Sequence, residues 1–211
     1  CDTIADAVLD ACLALDRSAH VACEVMATAG KIIAAGEITA SRLPDIPAVL
    51  CQTVREAGYG GADYEVEVIT HAQSPDIAGA VGGSGELGAG DQGIVYGYAC
   101  EETPELLPLP VVLAHRLTRL LTETRKRNRI PGIRPDGKAE VAVEYRNGRP
   151  KRVAAVVVSC QHEAELALPE LRRAVMRHVI EPAFRNFPLD DETEILINPS
   201  GRFVEGGFEA D

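Results

Sequence analysis

The chain is predicted to be an α+β protein of repeated domains, each a β-sheet with helices packed on one face. Three observations carry this. Runs with helical apolar spacing alternate with short strand-like runs along all 211 residues. KAEVAVEYRNGRPKRVAAVVVSCQH, from Lys138 to His162, reads as two alternating runs separated by Arg146-Asn147-Gly148-Arg149, a β-hairpin. Val66–Asp76 (VEVITHAQSPD) and Val156–Glu165 (VVVSCQHEAE) both run from an apolar strand into a glutamine and an acidic residue, a weak internal repeat with its boundary in the glycine-rich stretch between them.

The elements follow in order. Ile4, Val8, Ala11, Cys12 and Leu15 lie at helical spacing, so the chain opens on a helix. His20–Thr39 reads as two strands about Ala29-Gly30-Lys31, which makes Glu24 and Glu37 strand or strand-end carboxylates. Buried, they would need a partner; on a solvent-facing row they would not. Asp45 as N-cap, Pro47 in the first turn and Val49, Leu50 and Val54 on one face make a second helix that ends before Gly58. Val66 and Val68 mark a strand that breaks at Ser74-Pro75.

GIVYGYAC, Gly93–Cys100, is again strand-like. Pro108 and Pro110 open a long amphipathic helix with Val112, Leu117 and Leu120 on its apolar stripe. After the hairpin, LPELRRAVMRHVIEPAF is a helix and TEILINP a last strand.

Composition narrows the function classes. With 32 acidic against 21 basic residues the formal net charge is −11, which repels a nucleic-acid backbone and requires local cations for any anionic small substrate. No run approaches the roughly 20 apolar residues of a membrane helix, and no basic-then-apolar leader is visible, so no membrane partner is expected. Six scattered cysteines without a Cys-x-x-Cys pair fit reduced, packed thiols of a cytoplasmic protein. His71, His115 and His162 show no ligand spacing and read as structural. Arg116–Arg134 is the one dense basic stretch, read as a solvated helix face and loop.

Gly83–Gly88 is a literal Gly-x-Gly-x-x-Gly. A dinucleotide fingerprint needs a strand entering, a helix leaving and an acidic residue about 20 positions on. Here the exit is strand-like and the later region proline-rich, so the match is fortuitous. The same glycines suit a mobile lid over Ala78–Leu87 joined to an ordered contact at Gly88–Gly93 that carries Asp91. RPDGK, Arg134–Lys138, reads as a Pro-Asp-Gly turn that needs no function; read as a site instead, it offers an amine and a guanidinium to polyphosphate oxygens. NPSGRF, Asn198–Phe203, is by default a second plain turn; read as a site, it sets Arg202 to clamp an anion beside Phe203 to stack a purine.

Taken together, GAGDQGIVYGYACEETPELLPLPVVLAHRL at 88–117, DAVLDACLALD, VACEV, GEIT, QSPDI, RPDGK and INPSGRFV resemble the S-adenosylmethionine synthetase family, in the family's order and over nearly the whole sequence. The resemblance implies three α+β domains about a pseudo-threefold axis. Residues 1–80 would be the first, lacking its start; 81–87 would be a mobile linker, 88–211 the central domain, and the third would be absent. It also implies synthesis of S-adenosylmethionine from ATP and L-methionine, with Mg²⁺ and K⁺, in the cytoplasm, by a homodimer or dimer of dimers with active sites between subunits.

Residue by residue, the resemblance assigns Glu24 to K⁺ and Glu37 and Gln73 to methionine in the partner subunit's site. Asp136, Gly137, Lys138, Arg202 and Phe203 would contact ATP, and Asp211 both substrates. Asp91 is a site candidate in the glycine signature, and Gln73 to about Leu87 matches the gating loop. The family's catalytic histidine and magnesium aspartate would lie upstream of Cys1. Glu205 and Phe208 depart from the family pattern. On this reading the 211 residues alone are inactive. A non-catalytic truncated paralogue that dimerises with and regulates a complete enzyme is the alternative, and a dinucleotide-dependent oxidoreductase rests on the glycines alone.

Overall fold

A computed structural model of the chain describes residues 1–60, 64–82 and 92–210. The chain divides into two units, Cys1–Val95 with Phe208–Asp211, and Tyr96–Gly207.

The first unit begins with α1 (Asp2–Leu15), whose buried Ile4, Val8 and Cys12 fall on one stripe. β1 (His20–Thr28) and β2 (Lys31–Thr39) form an antiparallel hairpin. α2 (Ile46–Ala57) starts at Asp45, whose carboxylate accepts the Ala48 amide at 3.1 Å, and stops at Gly58 in the left-handed region. It carries the chain across to β3 (Glu65–His71), which pairs parallel with β2, giving the order β1-β2-β3. Ile32, Ala34 and Ile38 of β2 close a core with Ile46, Leu50 and Val54 of α2 and the α1 stripe. The opposite rows of the sheet, among them Glu24, Met26, Glu37 and Ile69, are exposed or half-buried. Phe208 packs edge-on against Tyr64, with ring centroids 5.1 Å apart.

In the second unit α4 (Leu109–Lys126) buries Leu109, Val112, Leu113, Leu117 and Leu121 against the sheet. Full burial of a leucine such as Leu113 or Leu117 is worth about 2 kcal/mol. Glu102 Oε2 accepts the Leu109 amide at 2.9 Å and so caps the helix start, while also accepting the Tyr145 hydroxyl at 2.6 Å. β4 (Ile133–Arg146) and β5 (Arg149–His162) form the expected hairpin. Its turn sits at Asn147 (φ 54°) and Gly148 (φ 73°), positive values that this pair adopts at little cost. α5 (Leu168–Val175) runs through a wide π turn at Met176–Ile180 into α6 (Glu181–Ala183), and β6 (Glu194–Ile197) pairs parallel with β5. The order is β4-β5-β6.

Both units therefore share one topology: a helix, an antiparallel hairpin, a helical crossover and a third strand parallel to the second. The α+β class with helices on the sheets is observed. The segments matched by the internal repeat are not equivalent, however, because Val66–His71 belongs to a third strand and Val156–His162 to a second.

Two local expectations are corrected. Gln92–Cys100 takes no strand conformation, and Ile94, Val95 and Tyr96 are 82, 95 and 93% exposed; alternation without a neighbouring strand is not enough to make one. RPDGK is not a turn but part of β4, for reasons given below. α3 (Pro75–Gly82) lies in the stretch expected to gate the site, ahead of the Gly83–Gly88 motif, which itself falls outside the described residues. A dinucleotide loop would be entered from a strand and left into a helix; here the helix α3 precedes the motif, and the next described residues, Gln92–Cys100, are neither helix nor strand. No described helix is long and apolar enough to cross a membrane. All six cysteines are free thiols, and burial pushes that of Cys160 up to about 12.

Candidate functional site

In the second unit the structure brings together two stretches that lie far apart in sequence. Ile133 pairs with His162 and Gly137 with Cys160, so three residues of β4, Arg134–Asp136, face the single Gln161 of β5. Pro-Asp-Gly would make a turn on its own, but hydrogen bonding on both sides turns it into a bulge inside a long strand. The bulge leaves Asp136, Gly137 and Lys138 at the lip of the sheet, half-buried, half-buried and exposed.

The chain reaches the same lip from β6. Asn198 takes a left-handed conformation (φ 44°), and the Gly201 amide closes a turn on its carbonyl at 3.0 Å. The buried Asn198 side chain extends the ladder where the strand has ended: its Oδ1 accepts the Cys160 amide at 2.9 Å and its Nδ2 donates to the Cys160 carbonyl at 3.0 Å. Arg172 donates to the carbonyls of Ile197 and Asn198 at 2.9 and 3.0 Å, fixing the turn to α5. Phe203 then lies 5.9 Å from Lys138 Nζ, measured to the ring centroid. A β-carbon on the buried Gly206 would run into the Phe203 ring and come within 3.1 Å of Asp136 Oδ2. Arg202 is exposed.

Two residues read from sequence as strand-end or structural are buried among these groups. Gln161, fully buried, accepts the Asp136 amide at 3.4 Å and donates to the carbonyls of Val204 and Gly206 at 2.9 and 3.3 Å. His162, 1% exposed, donates its amide to the Phe203 carbonyl at 2.9 Å and accepts the Phe203 amide at Nε2 at 3.2 Å. Its Nδ1 faces the Glu163 carbonyl at 2.9 Å, so the ring proton belongs on Nδ1. No motif marks this pair; the available signal was a glutamine and a histidine at the end of a strand that is otherwise Val-rich and buried.

Two grooves of this unit lie elsewhere. One of about 610 Å³ is lined by Arg172, Met176 and Ile195–Ile197, another of about 690 Å³ by Tyr98, Glu102 and Phe187. Neither includes Asp136, Lys138 or Phe203.

In the first unit Glu37 and Gln73 lie toward one end of the sheet. Glu37 is in register with His71, whose Nε2 lies 3.4 Å from the carboxylate, and the Gln73 amide donates to Thr39 Oγ1 at 2.9 Å. Glu24 is exposed on β1 opposite Ala35. It offers one carboxylate to a cation, and among the described residues no cluster of three or more His, Cys, Asp or Glu side chains forms a metal cage. Asp91 and Asp211 lie outside the described residues.

Comparison with known proteins gives a family. Residues 1–78 match the N-terminal domain of S-adenosylmethionine synthetase and residues 86–203 its central domain. The chain is 48% identical over 230 aligned residues to proteins named S-adenosylmethionine synthase from two strains of Thermus thermophilus, covering 100% of this chain and 58% of theirs. The identically named protein of Desulfosudis oleivorans is 44% identical over 217 residues, 98% of this chain and 56% of its own. The chain thus spans a little over half the length of these relatives.

Proposed function

The chain belongs to the S-adenosylmethionine synthetase family, and from that membership we propose that the protein bearing it is a methionine adenosyltransferase using ATP and L-methionine. The observation that carries the reading is the convergence of Asp136–Lys138 and Phe203 at one lip of the second sheet, tied together by buried hydrogen bonds. A cation beside an aromatic face suits a purine nucleotide with its charged phosphates.

The chemistry asks for positioning rather than proton removal. Methionine sulfur attacks C5′ of ATP, the C5′–S bond forms as the C5′–O bond breaks, and the electron pair leaves with the triphosphate. Water then splits the triphosphate into pyrophosphate and phosphate. A thioether has no proton to lose, so the sulfur needs no general base. Lys138 and Arg202 neutralise charge growing on the leaving group, Phe203 stacks the adenine, and Asp136 and Gly137 line the same contact. Glu37 and Gln73 hold methionine, Asp211 meets both substrates, and Asp91 is a further candidate. Mg²⁺ would screen the triphosphate, and Glu24 would contribute one oxygen to a K⁺ site that other residues complete.

The domain layout belongs to the same proposal: a first domain over 1–80, a linker over 81–87 that gates the site together with the residues from Gln73 onward, a central domain over 88–211, and a third domain completing a pseudo-threefold arrangement. A cytoplasmic homodimer, or a dimer of dimers, is the expected assembly. The test is to supply ATP, methionine, Mg²⁺ and K⁺ to the protein with its full family length and assay S-adenosylmethionine. A folded protein that forms none overturns the assignment. The 211 residues alone are expected to turn over nothing.

A further inference from the structure

We infer that Gln161 and His162 are positioning residues for the nucleotide, clamping the Phe203–Gly206 segment onto the β4 bulge so that Lys138 and Phe203 stand at a fixed separation before any ligand arrives. The inference rests on the proposed reading of those two segments as the ATP contacts.

Several features point past a merely well-packed core. Gln161 spends its side-chain amide on three backbone groups, those of Asp136, Val204 and Gly206, which lie 25, 43 and 45 residues away. It is also the single residue that the three-residue bulge faces, so its Oε1 accepts an amide that the sheet ladder leaves over. His162 holds both backbone groups of Phe203, through its own amide and through Nε2. Both side chains are buried, where a lost partner is costly, so the clamp is rigid on the scale of the hydrogen bonds that make it.

The remaining contact between the segments has no slack. The Phe203 ring fills the space where Gly206 lacks a side chain, and Asp136 Oδ2 borders the same space. A shift of the segment would carry the ring away from Lys138 Nζ. Pre-ordering of this kind lowers the cost of binding the nucleotide and leaves methionine's contacts on the first sheet untouched.

The experiment compares full-length wild type with Gln161→Met, His162→Phe and His162→Gln, and with Val156→Ala as a core control, in steady-state assays and thermal melts. Gln161→Met keeps the volume and loses all three bonds; His162→Phe loses the Nε2 acceptor; His162→Gln puts an acceptor oxygen back within reach of the Phe203 amide. The expected result is a rise of about tenfold or more in KM for ATP for the first two, with KM for methionine within about twofold. His162→Gln should recover most of the loss, and Val156→Ala should lower Tm without the KM split.

An unchanged KM for ATP in folded Gln161→Met, or equal rises in both KM values, overturns the clamp. So does Val156→Ala if it reproduces the split. Should Gln161→Met fail to fold, Gln161→Glu takes its place: it keeps the acceptor, loses both donors, and is read by the same split. An inactive wild type overturns the functional reading instead, whereas an active wild type beside unaffected variants overturns the clamp alone.

Discussion

The Phe203 ring lies over Gly206 so closely that a β-carbon on the glycine would come within 2.8 Å of Cζ. Gly206→Ala must therefore displace either the ring or the backbone beneath it. The expected cost is about 1–3 kcal/mol in stability, from overpacking at a buried position. Urea denaturation measures it, and ATP affinity should fall more than methionine affinity. A variant with wild-type stability and wild-type ATP affinity would show that the ring is free to move.

Lys138 is exposed, so its removal should spare the fold while acting on the chemistry. Lys138→Met in the full-length enzyme is expected to lower kcat/KM for ATP by roughly 100-fold, the scale of one charge-stabilising group at a leaving anion. Lys138→Arg should restore part of this, since a planar guanidinium does not place its charge where an ammonium does. An unchanged Tm with unchanged kcat/KM would remove Lys138 from the site.

Asn198→Ala strips two hydrogen bonds from the backbone of buried Cys160 and leaves alanine in a left-handed conformation. The expected loss is about 3 kcal/mol. Asn198→Gly relieves the backbone strain alone and should recover only a minor part. Chemical denaturation of both variants separates the side chain's contribution from the dihedral's.

Tyr145 donates to Glu102 at 2.6 Å, and partial burial together with this bond pushes its hydroxyl up to about 12. The folded state thus holds the proton more tightly than the unfolded chain, whose phenol titrates near 10. The resulting stabilisation is complete below about pH 10 and is lost as pH rises toward about 12. Tyr145→Phe is expected to lower stability by about 1 kcal/mol at neutral pH and to flatten the alkaline slope of Tm. An identical slope in the variant would mean that another group sets it.

Much of the architecture was legible because local and long-range signals agree. The Asn147-Gly148 hairpin, the Asp45 cap and the helical stripe through Val112 and Leu117 each favour the structure that the tertiary contacts then use. RPDGK misled because its local preference is for a turn, while its neighbours on both sides belong to a 14-residue strand that absorbs it as a bulge. IVYGY misled because alternation specifies a face and not a partner. At the candidate site, the cations and the aromatic could be found from residue type. Gln161 and His162 could not, since what distinguishes them is backbone groups that reach them from more than forty positions away.

The shared topology also bears on how the protein is made. In each unit the strand between its neighbours, β2 or β5, receives its second partner only after a crossover helix has been synthesised. While α5, the wide turn and α6 leave the ribosome, the Val-rich face and open edge of β5 have no β6 to cover them. That interval is the most hazardous for aggregation in this part of the chain. Nascent chains arrested between His162 and Glu194 should partition into the insoluble fraction, and those extended past Ile197 should not.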